Sequence, residues 1–233
     1  LVEAADSVRS GRSDGALAGG VAEAISPFGL ARWHLLAGQA PGGEKADGCP
    51  LADGRHDTVP GEGGAVLSLE RASSTVARNG QPLALLAGWG ECAAADPAAA
   101  CLQAMSAALE MGGCPPGAVD LLFAHGDGTP AGDRIEAEAI RRLFGPAAIP
   151  PVISSKNGCG HLGAGAPLLD AALAAGLLAG QLEPPVAAVT RPGFGDLPAL
   201  AAGGGSPDRP RFVLINGRGD DGPWFSILLA AAR

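Results

Sequence analysis

The stretch that decides the fold is "VDLLFAHGDGTPAGDRIEAEAI", residues 119–140. In it an apolar run passes into a glycine-rich turn, and an acidic segment with helical character follows directly. The pattern predicts a buried strand, a loop and then a helix from about Asp133 to Phe144. His125 stands where the strand gives way to the loop. A histidine at this place is common in active sites, and it is also common as a residue that only satisfies backbone groups.

The rest of the chain repeats this alternation of strands and helices. Three further helices are predicted, the last of them strongly apolar and buried, at 2–9, 98–113 and 165–182. Further strands are predicted within 14–24, 65–72, 82–91, 150–156 and, as a pair joined by a Gly/Asp turn, 211–232. The paired glycines of 14–24 indicate a buried strand whose backbone passes close to a neighbour. Residues 38–64, rich in glycine, proline and aspartate, predict a long loop. This order favours an α/β layered architecture with both sheet faces covered.

The composition excludes several classes of protein. The chain has 233 residues, of which 47% are hydrophobic, enough for one sizeable domain or two closely fused ones. A net charge of −8 and a pI of about 4.9 disfavour a nucleic-acid partner or an anionic membrane surface. No run of about 18 apolar residues predicts a transmembrane helix, and the N-terminus lacks the layout of a signal peptide.

The five cysteines are odd in number and show no CxxC spacing. They predict reduced thiols in a cytoplasmic protein. The chain begins with Leu1 instead of methionine, so we expect it to be processed, truncated or one part of a longer protein.

Three residues carry the candidate chemistry, namely His125, Lys156 and His161. Each histidine ends an apolar run and opens a glycine-rich turn, where a substrate can approach the backbone closely. A neutral imidazole N–H can donate to a carbonyl oxygen that gains negative charge, so two such donors would stabilise an enolate or oxyanion. Lys156 lies five residues before His161, close enough to set the protonation and orientation of the histidines.

Plainer interpretations of the same residues stay open. His125 can cap a turn, and His161 can cap the following helix. Zinc is disfavoured because the histidines are far apart in sequence and no Cys/His pair has ligand spacing. The glycine clusters match neither of the two common phosphate-binding motifs.

Other polar and aromatic residues are interpreted as structural. We expect the carboxylates at the start of the predicted helix to favour its dipole; they are Asp133, Glu136 and Glu138. Glu62 enters an apolar strand, which predicts a buried carboxylate held by hydrogen bonds. The tryptophans are too few and too scattered to form a stacking platform; they are Trp33, Trp89 and Trp224.

Four blocks of the sequence, taken in order, resemble the β-ketoacyl synthases, the condensing enzymes of fatty-acid and polyketide synthesis. The blocks are "SGRSDGALAGGVAEAISP" (10–27), "PGEGGAVLSLERAS" (60–73), "VDLLFAHGDGTPAGDRIEAEAIRRLFG" (119–145) and "VISSKNGCGHLGAGAPLLDAALAAGLLAGQLEPPV" (152–186). The resemblance runs essentially from Leu1 to Arg233. It implies a thiolase-like layered α/β fold, helix–sheet–helix–sheet–helix, of which residues 1–80 would be the end of the N-terminal half and 81–233 the C-terminal half.

The resemblance also implies acyltransferase chemistry by decarboxylative Claisen condensation. Substrates would be carried on the phosphopantetheine arm of an acyl carrier protein, with no other cofactor and no metal. His125, Lys156 and His161 match the catalytic histidine and lysine blocks of the family. A C-terminal loop, with Gly217, Gly219 and Gly222, would match its oxyanion and gating loop.

The sequence departs from the family pattern at three places. The nucleophilic cysteine of the family would fall a few residues before Leu1, and none of the five cysteines takes its place. Asp127 stands where the family has threonine, which would put an extra carboxylate near the histidine. The family's "GFGG" loop is replaced by "NGRGDDGPW" (216–224), a change that resembles the chain length factors of type II polyketide synthases.

These features favour a chain length factor-like subunit that pairs with a ketosynthase in a heterodimer. A catalytic ketosynthase fragment, with its cysteine just upstream of Leu1, is the alternative that the intact histidines favour. A non-catalytic interaction module of the same fold is the third. Because a half-built sheet would expose strand edges and apolar faces, we expect an N-terminal polypeptide to complete the fold and the 233 residues not to fold alone.

Overall fold

The computed structural model describes residues 1–37, 58–183, 209–219 and 222–232. In these ranges the helices are α1 (Val2–Arg9), α2 (Pro27–Ala37), α3 (Ala72–Ala77), α4 (Pro97–Met111), α5 (Pro130–Phe144), α6 (Lys156–Cys159) and α7 (Ala166–Leu178). The strands are β1 (Gly15–Ala22), β2 (Gly63–Glu70), β3 (Ala84–Cys92), β4 (Leu121–Phe123), β5 (Val152–Ile153), β6 (Phe212–Arg218) and β7 (Trp224–Ala231). The alternation predicted from the sequence is confirmed. Most of the predicted loop at 38–64 lies outside the described residues.

The strands form one large and one small sheet. The five-stranded sheet has the order β3-β7-β6-β4-β5, with β4 parallel to both of its neighbours. Strands β3, β7 and β6 pair antiparallel. The small sheet is the antiparallel pair of β1 and β2. The large sheet is therefore built from residues that follow those of the small one in the chain.

Both faces of the large sheet are covered by helices, as the apolar strands predict. Along β6, Val213 and Ile215 pack with the apolar side of α7, whereas Leu214 packs with the side chains of α4 and α5. This alternation follows from the two-residue period of a strand. Helix α7 also contacts β2 and so lies between the two sheets. The layers are then α4 and α5, the large sheet, α7 and the small sheet.

The small sheet has one open face. Leu17, Val21 and Val66 on this face are 75%, 78% and 68% exposed. The expectation of a buried strand at 14–24 is therefore wrong for the described chain, because no described element covers this side. The expected close backbone approach is confirmed, since a Cβ on Gly20 would lie 2.6 Å from the carbonyl oxygen of Ala164.

Glu62 is exposed just before β2, so its predicted burial is also wrong. The residue precedes the strand in an extended segment, where its side chain meets solvent and not the apolar layer. In the described part of the chain, no helix is long and apolar enough to cross a membrane.

The contact between β3 and α4 gives a test of the packing. We expect Gly88→Ala to lower the free energy of unfolding by about 1–3 kcal/mol, because the added Cβ would lie 2.2 Å from the carbonyl oxygen of Ala108. Gly117→Ala is the matched control, since no atom lies within 4 Å of its added Cβ, and we expect a change below about 0.5 kcal/mol. Urea unfolding of the purified native assembly measures both; equal midpoints for the two variants would contradict this packing.

Candidate active site

The backbone of His125 is held from both sides just after β4. Its N–H and that of Gly126 donate to the two carboxylate oxygens of Glu136, each at 2.8 Å. On the other side, the Nζ of Lys156 donates to the carbonyl oxygen of His125. His125, Lys156 and Glu136 are all buried. The loop that carries the histidine is thus fixed by two charged side chains that reach it from α5 and α6.

Glu136 connects this loop to the middle of the large sheet. Its Oε1 also accepts from the Nδ2 of Asn216 on β6 at 3.0 Å, and the Oδ1 of Asn216 accepts from the hydroxyl of Ser226 on β7 at 2.8 Å. Burial raises the pKa of Glu136, while its N–H donors act in the opposite direction. Glu136 therefore ties the loop after β4 to β6, through contacts between distant parts of the chain.

The predicted capping role is wrong for Glu136. The N-cap of α5 is Thr129, whose hydroxyl accepts from the N–H of Gly132 at 3.1 Å. Glu136 lies in the second turn of α5, beyond the reach of the helix terminus, and it faces the sheet. Asp133 is also buried and accepts from the N–H of Gly128 at 3.2 Å, so it too holds the loop.

His161 is placed beside His125 by the segment that precedes β2. The N–H of His161 donates to the carbonyl oxygen of Val59 at 2.7 Å, and its own carbonyl accepts from Gly61 at 3.0 Å. The two imidazole rings lie 5.6 Å apart between centroids, at 86° to each other. The structure therefore brings both predicted histidines into one pair, across 36 residues of sequence.

The hydrogen bonds of His161 fix its tautomer. Its Nδ1 accepts from the N–H of Gly163 at 3.0 Å, so the proton of the neutral ring lies on Nε2. Trp33 contacts the same ring, with 5.6 Å between centroids. His161 therefore offers one oriented N–H donor from a fixed ring.

Both histidines are held neutral. Burial, followed by the positive charge of Lys156, lowers the pKa of His161 to about 3. The same two causes place the pKa of His125 well below its ordinary value of 6.5, and His161 and Arg218 add to the effect. The pair can therefore donate hydrogen bonds at neutral pH without carrying charge.

Lys156 is the buried cation of the site. It begins α6, and its charge acts on a second buried carboxylate, Asp170 of α7. Burial raises the pKa of Asp170, and Lys156 opposes that rise. Lys156 thus lies among the imidazole pair and two carboxylates, and its direct hydrogen bond goes to the backbone of His125.

The described residues of the predicted oxyanion loop are hydrogen-bonded to one another between β6 and β7. The N–H of Gly219 donates to the carbonyl of Pro223, and the N–H of Gly222 donates to the carbonyl of Gly219, each at 2.9 Å. Gly217 packs against the ring of Phe225, which a Cβ would overlap at 2.0 Å. The oxyanion role of these glycines stays a prediction.

The turn reaches the histidine pair through a residue that sequence reasoning missed. The ring of Trp224 lies 5.8 Å from that of His125, nearly perpendicular to it. Arg218 pairs in register with Trp224 and places its guanidinium carbon 5.8 Å from the tryptophan centroid. The sequence predicts this hairpin. Pairing its two strands in register places Arg218 opposite Trp224, and this pairing is the signal that identifies the two residues as neighbours.

Asp127 is directed to the helix that follows. Its Oδ1 accepts from both the N–H and the hydroxyl of Thr129, each at 2.7 Å. The extra carboxylate beside the histidine therefore stabilises the turn that leads into α5.

The described thiols do not resemble an activated nucleophile. Cys101 and Cys114 are buried, and Cys159 is exposed. Desolvation raises the pKa of Cys159, and its Sγ donates to the carbonyl of Ser155 at 3.1 Å. Cys49 lies outside the described residues. Among the described residues of the chain, no three or more His, Cys, Asp or Glu side chains are grouped so that they could hold a metal ion.

The comparisons with known proteins agree with this fold and with the sequence blocks. The family model of the β-ketoacyl synthase N-terminal domain matches residues 1–75, and that of the C-terminal domain matches residues 89–190. The chain therefore belongs to the β-ketoacyl synthase family. The predicted division at residues 80 and 81 falls between the two matches and stays a prediction.

Two curated relatives illustrate the range of the family. The chain is 34% identical over 208 residues to a tetracenomycin polyketide synthase ketoacyl synthase beta subunit of Streptomyces glaucescens, covering 82% of this chain and 48% of that protein. It is 32% identical over 169 residues to a 3-oxoacyl-[acyl-carrier-protein] synthase 2 of Staphylococcus aureus, covering 69% and 42%. The chain spans less than half the length of these relatives.

Solved structures show the thiolase-like fold. The ishigamide ketosynthase/chain length factor superposes with a TM-score of 0.84 at 27% identity, over 97% of this chain and 56% of that one. A type II polyketide synthase ketosynthase in complex with its acyl-carrier protein superposes with a TM-score of 0.85 at 24% identity, over 98% and 59%. The predicted fold class is thus confirmed.

The lowered pKa values of His125 and His161 make the stability of the protein depend on pH. The pKa of His161 is about 3 in the folded state, against 6.5 ordinarily, so between these values the unfolded chain binds a proton that the folded chain does not. Its contribution to stability is complete above pH 6.5 and falls as the pH drops towards 3. We expect His161 alone to lower the free energy of unfolding by about 2 kcal/mol from pH 7 to pH 5.

Urea unfolding of the native assembly at pH 5, 6 and 7 measures this dependence. His161→Gln should show a smaller decrease than the wild type, because one neutral buried imidazole is gone. Arg12→Gln, at an exposed position, is the control that should keep the wild-type decrease. An identical pH dependence in His161→Gln and the wild type would contradict the neutral state of His161.

Proposed function

We propose that this chain supplies the decarboxylating histidine pair of a condensing-enzyme site, acting on malonyl thioesters carried on an acyl carrier protein. The observation that carries the proposal is the pairing of His125, which is buried, with His161, which is half-buried; the centroids of these two neutral imidazoles lie 5.6 Å apart. Because the Nδ1 of His161 is occupied, its Nε2–H is the donor available to a substrate oxygen. The coarser statement, that the chain is of the ketosynthase family, follows from the family matches.

The geometry suits the formation of an enolate. In the decarboxylation, the bond between the carboxylate and the methylene carbon breaks and CO₂ leaves. The electron pair of that bond passes into the thioester as an enolate, whose oxygen accepts the imidazole N–H bonds. The enolate carbon then attacks an acyl thioester carbonyl, and the thiol that held the acyl group leaves. Neutral donors fixed before the reaction stabilise the developing negative charge without having to reorganise.

Lys156 and Glu136 support this chemistry without touching the reacting atoms. They hold the carbonyl and the N–H of His125 respectively. We therefore assign them a positioning role, with Lys156 also keeping the imidazoles unprotonated by its charge. His125 and His161 are the proposed catalytic residues.

Two kinds of subunit could carry this site. The histidine pair favours a catalytic β-ketoacyl-ACP synthase, whose nucleophilic cysteine would lie just upstream of Leu1. The likeness to a ketoacyl synthase beta subunit, together with Arg218 in the altered loop, favours a chain length factor-like subunit in a heterodimer with a ketosynthase. The two differ in whether this polypeptide itself holds the growing acyl chain.

The proposed partners follow from the same comparison. They are a ketosynthase subunit, an acyl carrier protein and an N-terminal polypeptide that completes the fold. The open apolar face of the small sheet supports the last of these, since Leu17, Val21 and Val66 are mostly exposed there.

Release of CO₂ from malonyl-acyl carrier protein tests the proposed chemistry. We expect His125→Ala and His161→Ala each to lower the rate about 10²–10³-fold, the usual effect of removing one preorganised donor. Cys159→Ser is the matched control at the end of α6, and its rate should stay within about twofold because the exposed thiol has no assigned part in the reaction. Unchanged release in both histidine variants would contradict the proposal.

The nature of the subunit is decided by the residue at the family's nucleophile position. Mass spectrometry and peptide sequencing of the native assembly identify this residue and every chain that copurifies. The catalytic interpretation predicts a cysteine that forms an adduct with an acyl donor. The chain length factor interpretation predicts another residue there and a bound, cysteine-bearing partner. An inert residue with no such partner would contradict both.

A further inference from the structure

Arg218 is a cation at the edge of the histidine pair that the proposed reaction has not used. It ends β6 and pairs in register with Trp224, the first residue of β7. Its guanidinium carbon lies 5.8 Å from the centroid of the Trp224 ring, a distance suited to a cation–π contact. The same ring lies 5.8 Å from the ring of His125. One tryptophan therefore connects Arg218 with the proposed catalytic residue.

The guanidinium has a donor that nothing in the described structure satisfies. The Nε atom of Arg218 is buried and has no hydrogen-bond partner among the described residues. Ion pairs elsewhere in the described chain join other arginines to carboxylates; the arginines are Arg9, Arg12, Arg78 and Arg142. No such pair to a described carboxylate is formed by Arg218. A buried N–H without an acceptor is unfavourable, so an acceptor supplied by a ligand would stabilise the site.

The two carboxylates that lie next to His125 in the chain or hold its loop, Asp127 and Glu136, are engaged by other groups. Both oxygens of Glu136 accept N–H bonds, from His125, Gly126 and Asn216. The Oδ1 of Asp127 is taken by Thr129. Besides burial, the positive charges of Lys156 and Arg218 act on the ring of His125 and lower its pKa, in a chain whose net charge is −8. A local positive field of this kind selects an anionic ligand.

We propose that Arg218 binds the carboxylate of the malonyl-type extender before it is lost as CO₂. The inference rests on the proposed function for the identity of the substrate. A planar guanidinium matches a carboxylate by two parallel N–H···O bonds, and the contact with Trp224 keeps the guanidinium beside the histidine pair. The thioester oxygen at the histidine pair and the carboxylate at Arg218 would then orient the bond that breaks.

This assignment makes Arg218 a specificity residue for charged over neutral acyl groups. Once CO₂ has left, the carboxylate contact no longer exists, so Arg218 contributes to binding of the substrate more than to the chemical step. Loss of the guanidinium should therefore raise KM for the malonyl thioester and change kcat little. A purely structural role, stacking on Trp224 and supporting His125, would instead lower kcat and affect all acyl groups alike.

The test compares malonyl and acetyl probes on the native assembly. Dissociation constants are measured by calorimetry for the amide analogues of malonyl- and acetyl-pantetheine, which do not transfer their acyl groups. We expect Arg218→Gln to weaken the malonyl analogue about 10–100-fold and the acetyl analogue less than about twofold, as for loss of a charge-assisted hydrogen bond. Arg218→Lys should lie between, because it keeps the charge without the fork. Arg12→Gln is the surface control and should match the wild type.

The outcomes separate this inference from the proposed function. Equal weakening of both analogues, or none, in Arg218→Gln and Arg218→Lys overturns the role of Arg218, even where the wild type releases CO₂. Failure of the wild type to prefer the malonyl analogue also overturns it. A malonyl-specific loss in Arg218→Gln, in an assembly that releases no CO₂, supports carboxylate binding and contradicts the proposed decarboxylation.

Discussion

The interaction on which the rest of the site depends is the buried carboxylate of Glu136. Placed in an apolar interior without donors, this group would be strongly unfavourable. It is satisfied by N–H groups from the loop after β4 and from Asn216 on β6, and Ser226 on β7 extends the network. Loop, helix and sheet therefore share one set of hydrogen bonds, and a shift of any one would leave a buried polar group unpaired. The position of His125 is fixed by this requirement.

The second constraint is that the positive charge of Lys156 lies close to both imidazoles while the two rings stay unprotonated. Lys156 donates to the backbone carbonyl of His125 and not to either imidazole ring. Its charge, added to burial, lowers the pKa of each histidine and so keeps both in the neutral form. A neutral donor can stabilise a new negative charge on a substrate, whereas a protonated one would already attract any anion that entered. The buried lysine thus sets the state of the rings while it holds the loop.

Much of this could be predicted from the sequence because it depends on local patterns. The apolar run before His125 predicts β4, and the acidic segment predicts α5. The helix begins three residues earlier than the predicted Asp133, at Pro130, because Thr129 caps it. Local pattern also contained a signal that was missed, since Ser26 and Pro27 open α2 and the Ser26 hydroxyl accepts from Gly29 at 3.1 Å. The pairing of His125 and His161 was expected from their matching settings and their resemblance to the family, and its geometry required the fold.

What could not be predicted depends on contacts between distant parts of the chain. Glu136 occupies a helix turn where sequence alone indicates only a favourable dipole, and its true partners come from β6 and the loop. The contact of Arg218 with Trp224 needs the register of a hairpin, and that of Trp224 with His125 needs the placement of this hairpin beside β4. The exposure of Leu17 and Val21 reverses an expectation from apolarity, because burial of a strand face depends on what packs over it.

These constraints also explain how one site can suit either kind of subunit. Enolate formation needs fixed neutral donors, here proposed to be His125 and His161, and residues of α5, α6, β6 and β7 hold these donors and supply the positive charge around them. Acyl transfer needs a thiolate, which is a separate group with a separate environment. Since no described thiol is hydrogen-bonded to Glu136, loss or gain of a nucleophile elsewhere would leave the histidine pair intact. The decarboxylation that we propose is therefore physically separable from the holding of the acyl chain, and the proposal assigns only the former to these residues.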